Sequence, residues 1–263
     1  MTLPLLVMIP FLGSILVAWV GGRGRMLSAY ATTVVTFSAV MLLLPLIGGV
    51  MQGETLVWRH EWIGAAGLAL SFRLDGLGLL FALMILAIGL LVILYARYYL
   101  SEKDPMGRFY AYLLLFQGSM LGVVLSEHLI QLLIFWELTS ISSFLLISYW
   151  RHREDARQGA RMALAITGGG GLAMLAGFLL LGEIVGSYEL SVVLASGEVI
   201  REHPWYVPML VLVLLGVFTK SAQFPFHFWL PNAMAAPTPA SAYLHSSTMV
   251  KAGIYILARL SPV

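Results

Sequence analysis

Cysteine is absent from the 263 residues, which excludes disulfides and thiolate-bound metals. Charge is scarce: Asp, Glu, Lys and Arg make up 11% of the chain, against roughly 25% in soluble domains. The net charge of +2 comes with no basic, aromatic-interleaved soluble segment, so nothing points to nucleic acid. No paired His, Asp or Glu spacing suggests a metal site, and no cofactor motif occurs. The glycine run at 168–171 lies inside an apolar stretch with no preceding strand and no Lys-Ser/Thr after it. A phosphate loop is therefore excluded, and close helix packing through small residues is expected. The N-terminal "MTLPLLVMIPFLGSILVAW" lacks a basic leader and an A-x-A-like cleavage site, so it is read as a retained first span.

What the chain has in quantity is hydrophobic residue, 60% of it, in long continuous runs. A helix crosses a bilayer in about 20 apolar residues. A transmembrane barrel would instead show short alternating segments. Backbone groups in lipid must bond within their own segment, so an all-α, polytopic membrane protein is expected. Eight spans are read at about 3–20, 27–50, 76–96, 108–125, 128–150, 161–185, 207–229 and 239–260. The connections at about 51–75 and 186–206 are mixed and read as interfacial. Arg23, Arg25, Arg97, Lys103, Arg108, Arg151, Arg153, Arg157 and Arg161 fall in or beside the odd-numbered connections. The even-numbered ones hold Arg59, Arg73 and Arg201. The positive-inside bias then puts the odd connections in the cytoplasm and both termini outside.

Three charges lie well inside the spans rather than at their ends: Glu137, Lys220 and Lys251. Each costs at least about 2.5–3.5 kcal/mol near the bilayer centre. Glu137 shares a helical face with Ser140 and Ser148, with Ser143 beside it; hydroxyls there can bond a carboxylate or hold water. A structural carboxylate bonded to a neighbouring helix is the alternative. Lys220 sits in the seventh span, where burial and a nearby carboxylate would set its proton affinity against each other; a permanent salt bridge is the alternative. Pro225 lacks an N–H, clashes with the preceding turn and frees carbonyls near residues 221 and 222, so the seventh span is expected to be broken. Ser221, Gln223 and His227 gather at that break, as in transporters with discontinuous helices; a dry proline kink is the alternative.

Pro231, Pro237 and Pro239 end the seventh span and start the eighth. His245, Thr248 and Lys251 follow at intervals of three, a plausible polar trail from His227; a packed histidine is the alternative at each ring. His60, His152 and His203 fall in connections, and His128 opens the fifth span. Asp75 is expected to cap the third span, and Glu183 to be interfacial.

The stretches "FRLDGLGLLFALMI", "LLIFWELTSISSFLLI" and "FTKSAQFPFHFWLPNAMAAPTPASAYLHSSTMVKAGIYILARL" resemble the antiporter-like subunits shared by respiratory complex I and the Mrp multisubunit cation/proton antiporters. The similarity is greatest to the large A subunit of Mrp. Complex I homologues usually read "WLPDAM", with a small residue in place of Lys251; Asn232 and Lys251 favour the Mrp type. The resemblance implies Glu137 paired with Lys220 on a broken helix, Lys251 as central relay amine and His245 beside it. Ser140, Ser143, Gln223, His227 and Thr248 are path candidates. It implies residues 1–106 as an N-terminal three-helix segment and 107–263 as the first inverted repeat, the first half of the fold. The second repeat is not in the chain, so a longer subunit or a separate second chain is expected. The implied function is proton translocation in a Na⁺/H⁺ antiporter of the bacterial inner membrane, with other membrane subunits as partners. A redox-driven proton pump is the alternative, and a purely structural anchor a third reading.

Overall fold

The computed structural model describes residues 1–63 and 68–263. The long apolar runs form six helices of spanning length and composition: α1 (Thr2–Val20, continued by a 3-10 turn at Gly21–Arg23), α2 (Arg25–Met51), α3 (Gly76–Tyr99), α4 (Met106–Leu125), α5 (Leu129–Ile147) and α6 (Glu154–Val185). Short helices α7 (Leu190–Ala195) and α8 (Gly197–Glu202) lead to α9 (Tyr206–Lys220), which is apolar but shorter. Then come a 3-10 turn (Phe226–Phe228), α10 (Trp229–Ala233), α11 (Thr238–Ser241), a π-helical segment (Ala242–Ser247) and α12 (Met249–Arg259).

Helix α4 is the axis of the packing. In its most apolar window 83% of residues are buried, against 22% in α2, so α2 presents most of its surface outward. Phe109, Leu113, Phe116 and Met120 of α4 are fully buried. A helix apolar all round belongs in a protein core or in lipid; for α4 the cover comes from α1, α2, α3 and α5.

Two expectations are corrected. The chain is not purely helical: the second connection holds two antiparallel paired strands, β1 (Leu56–Ile63) and β2 (Leu68–Leu74). Leu56 pairs with Leu74 and Trp58 with Phe72, and these more buried residues alternate with exposed Val57 and Arg59, as a half-buried strand requires. Phe72 lies over Phe135, with ring centroids 6.3 Å apart, and the strand pair seals the end of the helix bundle. The last apolar stretch is also not one regular α-helix. Its π segment inserts extra chain, and Thr248, at φ −127° and ψ −78°, interrupts the ladder before α12. The Thr248 hydroxyl donates to the Tyr243 carbonyl that the interruption exposes.

The connections alternate between two ends. At one, Arg25 donates to Leu100 O (2.7 Å), Arg108 to Tyr149 O (3.1 Å) and Trp150 Nε1 to Asp104 (3.0 Å). At the other, Phe72 bridges to Ser126 and His128 to Glu189. Asp75 there accepts from the Gly78 N–H (2.9 Å), the cap expected of it. Arg259 of α12 also donates to Asp75 (2.9 Å). Arg73 lies 3.0 Å from Asp75 and 3.6 Å from Glu127, and Arg59 lies 3.2 Å from Glu189. Burial opposes ionisation of Asp75, but hydrogen bonds from Arg259, Gly78 and Arg73 hold its carboxyl well below the usual range.

Candidate functional site

Lys220 is the last residue of α9 and is fully buried. Its Nζ donates to Ser140 Oγ (2.7 Å) and to the Trp136 carbonyl (2.9 Å), both on α5, and stands 5.0 Å from the Trp136 ring centroid. An ammonium in an apolar interior needs such acceptors, since an unpaired charge there is very costly. The Thr167 hydroxyl of α6, which donates to Ala163 O (2.8 Å), lies 3.4 Å from the Ser140 hydroxyl. Lys220, Ser140 and Thr167 thus join three helices through side-chain donors and acceptors.

Glu137 lies one turn before Ser140 on the same helix. Among the described residues it makes no ion pair within 4.0 Å, and its Oε1 is buried without a hydrogen-bond partner. The carboxylate is lodged against the glycine face of α6. A Cβ on Gly171 would stand 2.8 Å from Glu137 Cδ and closer still to Oε1, and one on Gly170 would stand 2.7 Å from Thr219 Cβ. The glycine run is the surface on which α5 and α9 seat their polar side chains.

The chain leaves the helix directly after Lys220, five residues before Pro225. Ala222 adopts φ +49°, a left-handed conformation uncommon outside glycine, and the Phe224–Pro225 peptide is cis. Carbonyls freed by the turn are taken up individually. Thr219 O accepts from Trp229 Nε1 (2.8 Å), Phe218 O from the Gln223 N–H (2.9 Å) and Ser221 O from Gln223 Nε2 (3.1 Å). Ser221 Oγ donates across to Val250 O of α12 (2.8 Å). A cavity of about 450 Å³ flanks the break, but Thr219 is the one polar side chain among Ala165, Ile166, Leu215, Phe226 and Phe228 on its wall. That cavity is no polar route to Lys220.

The other expected residues spread around this centre. His245, in the π segment, faces Trp229 with ring centroids 5.9 Å apart, and both its ring nitrogens are buried without partners. Thr248 is buried and bonded to its own segment, and Lys251 is half-buried on the first turn of α12. Ser143 donates to Ser140 O (2.8 Å), within its own helix. Gln223 and His227 are exposed, and His227 stacks on Phe224, with centroids 5.9 Å apart. The geometry therefore brings Glu137, Ser140 and Lys220 together and leaves Gln223 and His227 at the surface. Trp136, Thr167 and Trp229 belong to the same centre and were not singled out from the sequence. Trp136 is the one with a readable signal, as the neighbour of Glu137.

Residues 126–263, just over half of the chain, match the family described as NADH:quinone oxidoreductase/Mrp antiporter, transmembrane. The chain belongs to this family. Residues 62–110 further match the N-terminal family of NADH-ubiquinone oxidoreductase (complex I) chain 5. The chain is 55% identical over 261 residues to the A/B subunit of a probable K⁺/H⁺ antiporter of Rhizobium meliloti, covering 99% of this chain and 26% of the relative. It is 51% identical over 221 residues to the A1 subunit of a Na⁺/H⁺ antiporter of Staphylococcus aureus, covering 84% of this chain and 28% of the relative. It thus spans about a quarter of the length of these curated relatives. Among solved structures, the Mrp complex from Dietzia matches 99% of this chain and 28% of the chain compared, with TM-score 0.88 and 35% identity. The archaeal membrane-bound sulfane sulfur reductase shares the fold, with TM-score 0.79 and 20% identity over 99% of this chain and 41% of that one. The Mrp/complex I antiporter-like family and the apolar helices together make this a multi-pass membrane protein.

Proposed function

We propose that this chain forms the proton-handling first half of the large antiporter-like A subunit in a multisubunit cation/H⁺ antiporter. The observation that carries the reading is Lys220: a fully buried amine at a helix end, bonded to the Ser140 hydroxyl and a carbonyl of α5, with the Glu137 carboxylate unpaired one turn before Ser140. A permanent structural ion pair would favour direct contact between the two charges. A pair held apart can be joined or parted by a proton. Protonation of Glu137 removes the anion facing the ammonium and makes the Lys220 proton easier to lose. Ser140 can accept from the amine while turning its own hydroxyl proton toward Thr167. His245 and Lys251 continue the path toward the second half of the fold. Ser143 and Thr248 help hold its walls. Gln223, His227 and the Pro225 turn form its wet approach. Trp229, which touches both the Thr219 carbonyl and the His245 ring, links the break to the relay.

In this reading the membrane is crossed eight times. The seventh crossing is α9 broken after Lys220 and resumed through α10; the eighth runs from α11 to α12. Residues 1–106 are a three-helix support, and 107–263 the first inverted repeat with its half-channel. The end rich in arginine faces the cytoplasm of a bacterial cell, and both ends of the stretch lie on the outer side. The names of the relatives support exchange of Na⁺ or K⁺ for H⁺, with Na⁺ as the first choice, and assembly with further membrane proteins.

The test is reconstitution of the native complex in proteoliposomes, with cation-driven proton flux measured for wild type and Glu137→Gln. Glu137→Gln is expected to lose exchange at every pH, with Na⁺ or K⁺ as the driving cation. Near-normal flux would remove Glu137 from the mechanism. Iron–sulfur or flavin subunits in the purified complex would move the assignment to a redox-driven pump.

A further inference from the structure

We infer that Gly171 is a positioning residue: its missing side chain is the berth that holds the Glu137 carboxylate apart from Lys220. The inference rests on the proposed role of Glu137 and adds what sets its position. Four adjacent glycines on α6 differ sharply in what a methyl group would meet. At Gly169 there is nothing within 4 Å. At Gly168 the nearest atom is Glu137 Oε2, at 3.9 Å, an ordinary contact. At Gly170 the methyl would strike Thr219, including its Cβ at 2.7 Å, a group that can move little without moving α9. At Gly171 all three nearest atoms belong to the Glu137 carboxyl group, with Oε2 at 3.5 Å. A terminal carboxylate swings on a flexible stem, so a methyl at 171 would displace it rather than separate the helices.

Independent of the glycine pattern, Glu137 Oε1 is buried and has no hydrogen-bond partner, although Lys220 sits on a facing helix. Nothing polar on α6 holds the carboxylate in place; shape does. The cation bonded to Ser140, one turn along α5, is Lys220, so moving the carboxylate alters its distance to that amine.

The experiment compares Gly171→Ala, Gly169→Ala and Glu137→Gln in the full-length protein within its native complex, by cation-driven proton flux across a pH series. Gly171→Ala is expected to lower the maximal rate about tenfold or more, as a misplaced reacting group does, and to shift the pH profile. Gly169→Ala is expected to match wild type in both. If Gly171→Ala behaves like Gly169→Ala while Glu137→Gln is inactive, the inference falls and the role of Glu137 stands. If Glu137→Gln exchanges normally, both fall. Should Gly171→Ala fail to assemble, the same substitution is made in a Glu137→Ala background, where the berth is empty. Recovery of assembly supports the inference; persistent loss means Gly171 serves helix packing alone and overturns it.

Discussion

Helices α4 and α9 are both apolar and both packed against other helices, yet one runs unbroken for 20 residues and the other stops after 15. Helix α4 buries polar groups as well. Gln117 accepts from Thr36 (3.1 Å), and Ser119 bonds back to Leu115 O (2.8 Å). These are neutral groups, bonded through Gln117 Oε1 and the Ser119 hydroxyl within or beside an intact helix. Helix α9 ends on a cation, and the turn after it exposes carbonyls that Trp229 and Gln223 then occupy. Burial alone does not interrupt a membrane helix. At α9 the helix ends on a charge, and the freed backbone is met by side chains from several elements.

Four substitutions probe that contrast, from the largest effect to the smallest. Asp75→Asn strips the anion from Arg259, which is 6% exposed, and from Arg73. It is expected to destabilise the assembled protein by about 3–5 kcal/mol, the range for breaking a buried pair. Because the folded carboxyl is held below its ordinary value, the wild-type advantage is full above pH about 4 and fades as pH falls further. Thermal unfolding at a series of pH values measures both. In the plain region, Leu6→Ala empties a fully buried site and is expected to cost about 2–4 kcal/mol. Its pH profile of exchange should stay that of wild type; a shifted profile would erase the distinction between support and site. Ser140→Ala removes one of two acceptors from Lys220 and should slow exchange about tenfold, the rate equivalent of one charged hydrogen bond. Trp229→Phe keeps a ring against His245 but leaves Thr219 O without its donor. A stability loss of about 1 kcal/mol is expected in unfolding experiments.

The first six spans were legible because each is long, apolar and bounded by Arg, Gly or Pro. Glu137, Lys220 and Lys251 stood out because charge is rare in such runs, and Asp75 because a cap is local. The strand pair was hidden because its alternation is diluted by Arg59, His60 and Glu61, which read equally well as an interface. Pro225 was expected to break the stretch at 207–229, but α9 ends five residues earlier, at Lys220, where the amine finds its acceptors on α5. The π segment carries no mark at all: His245, Thr248 and Lys251 fit regular helical spacing, and the departure from it is accompanied by the Tyr243 hydroxyl donating to Ile85 O (2.9 Å) and the Thr248 hydroxyl to Tyr243 O. The Trp136 carbonyl is invisible in any sequence, since every residue has one. Gly171 was legible as packing but not as the partner of one particular carboxylate, which requires knowing which turn of α5 faces it. Arg259 reaches Asp75 across 184 positions, a pairing that only the fold makes.

The central question is whether the amine of Lys220 serves transport or merely holds helices together. The direct measurement is cation-driven proton flux per assembled complex for Lys220→Ala, with assembly quantified on the same preparation. If the amine carries protons, the complex keeps its normal composition and its flux falls to the leak of empty vesicles. Reduced assembly with full flux per surviving complex would contradict that role and leave Lys220 as a structural tie between α9 and α5.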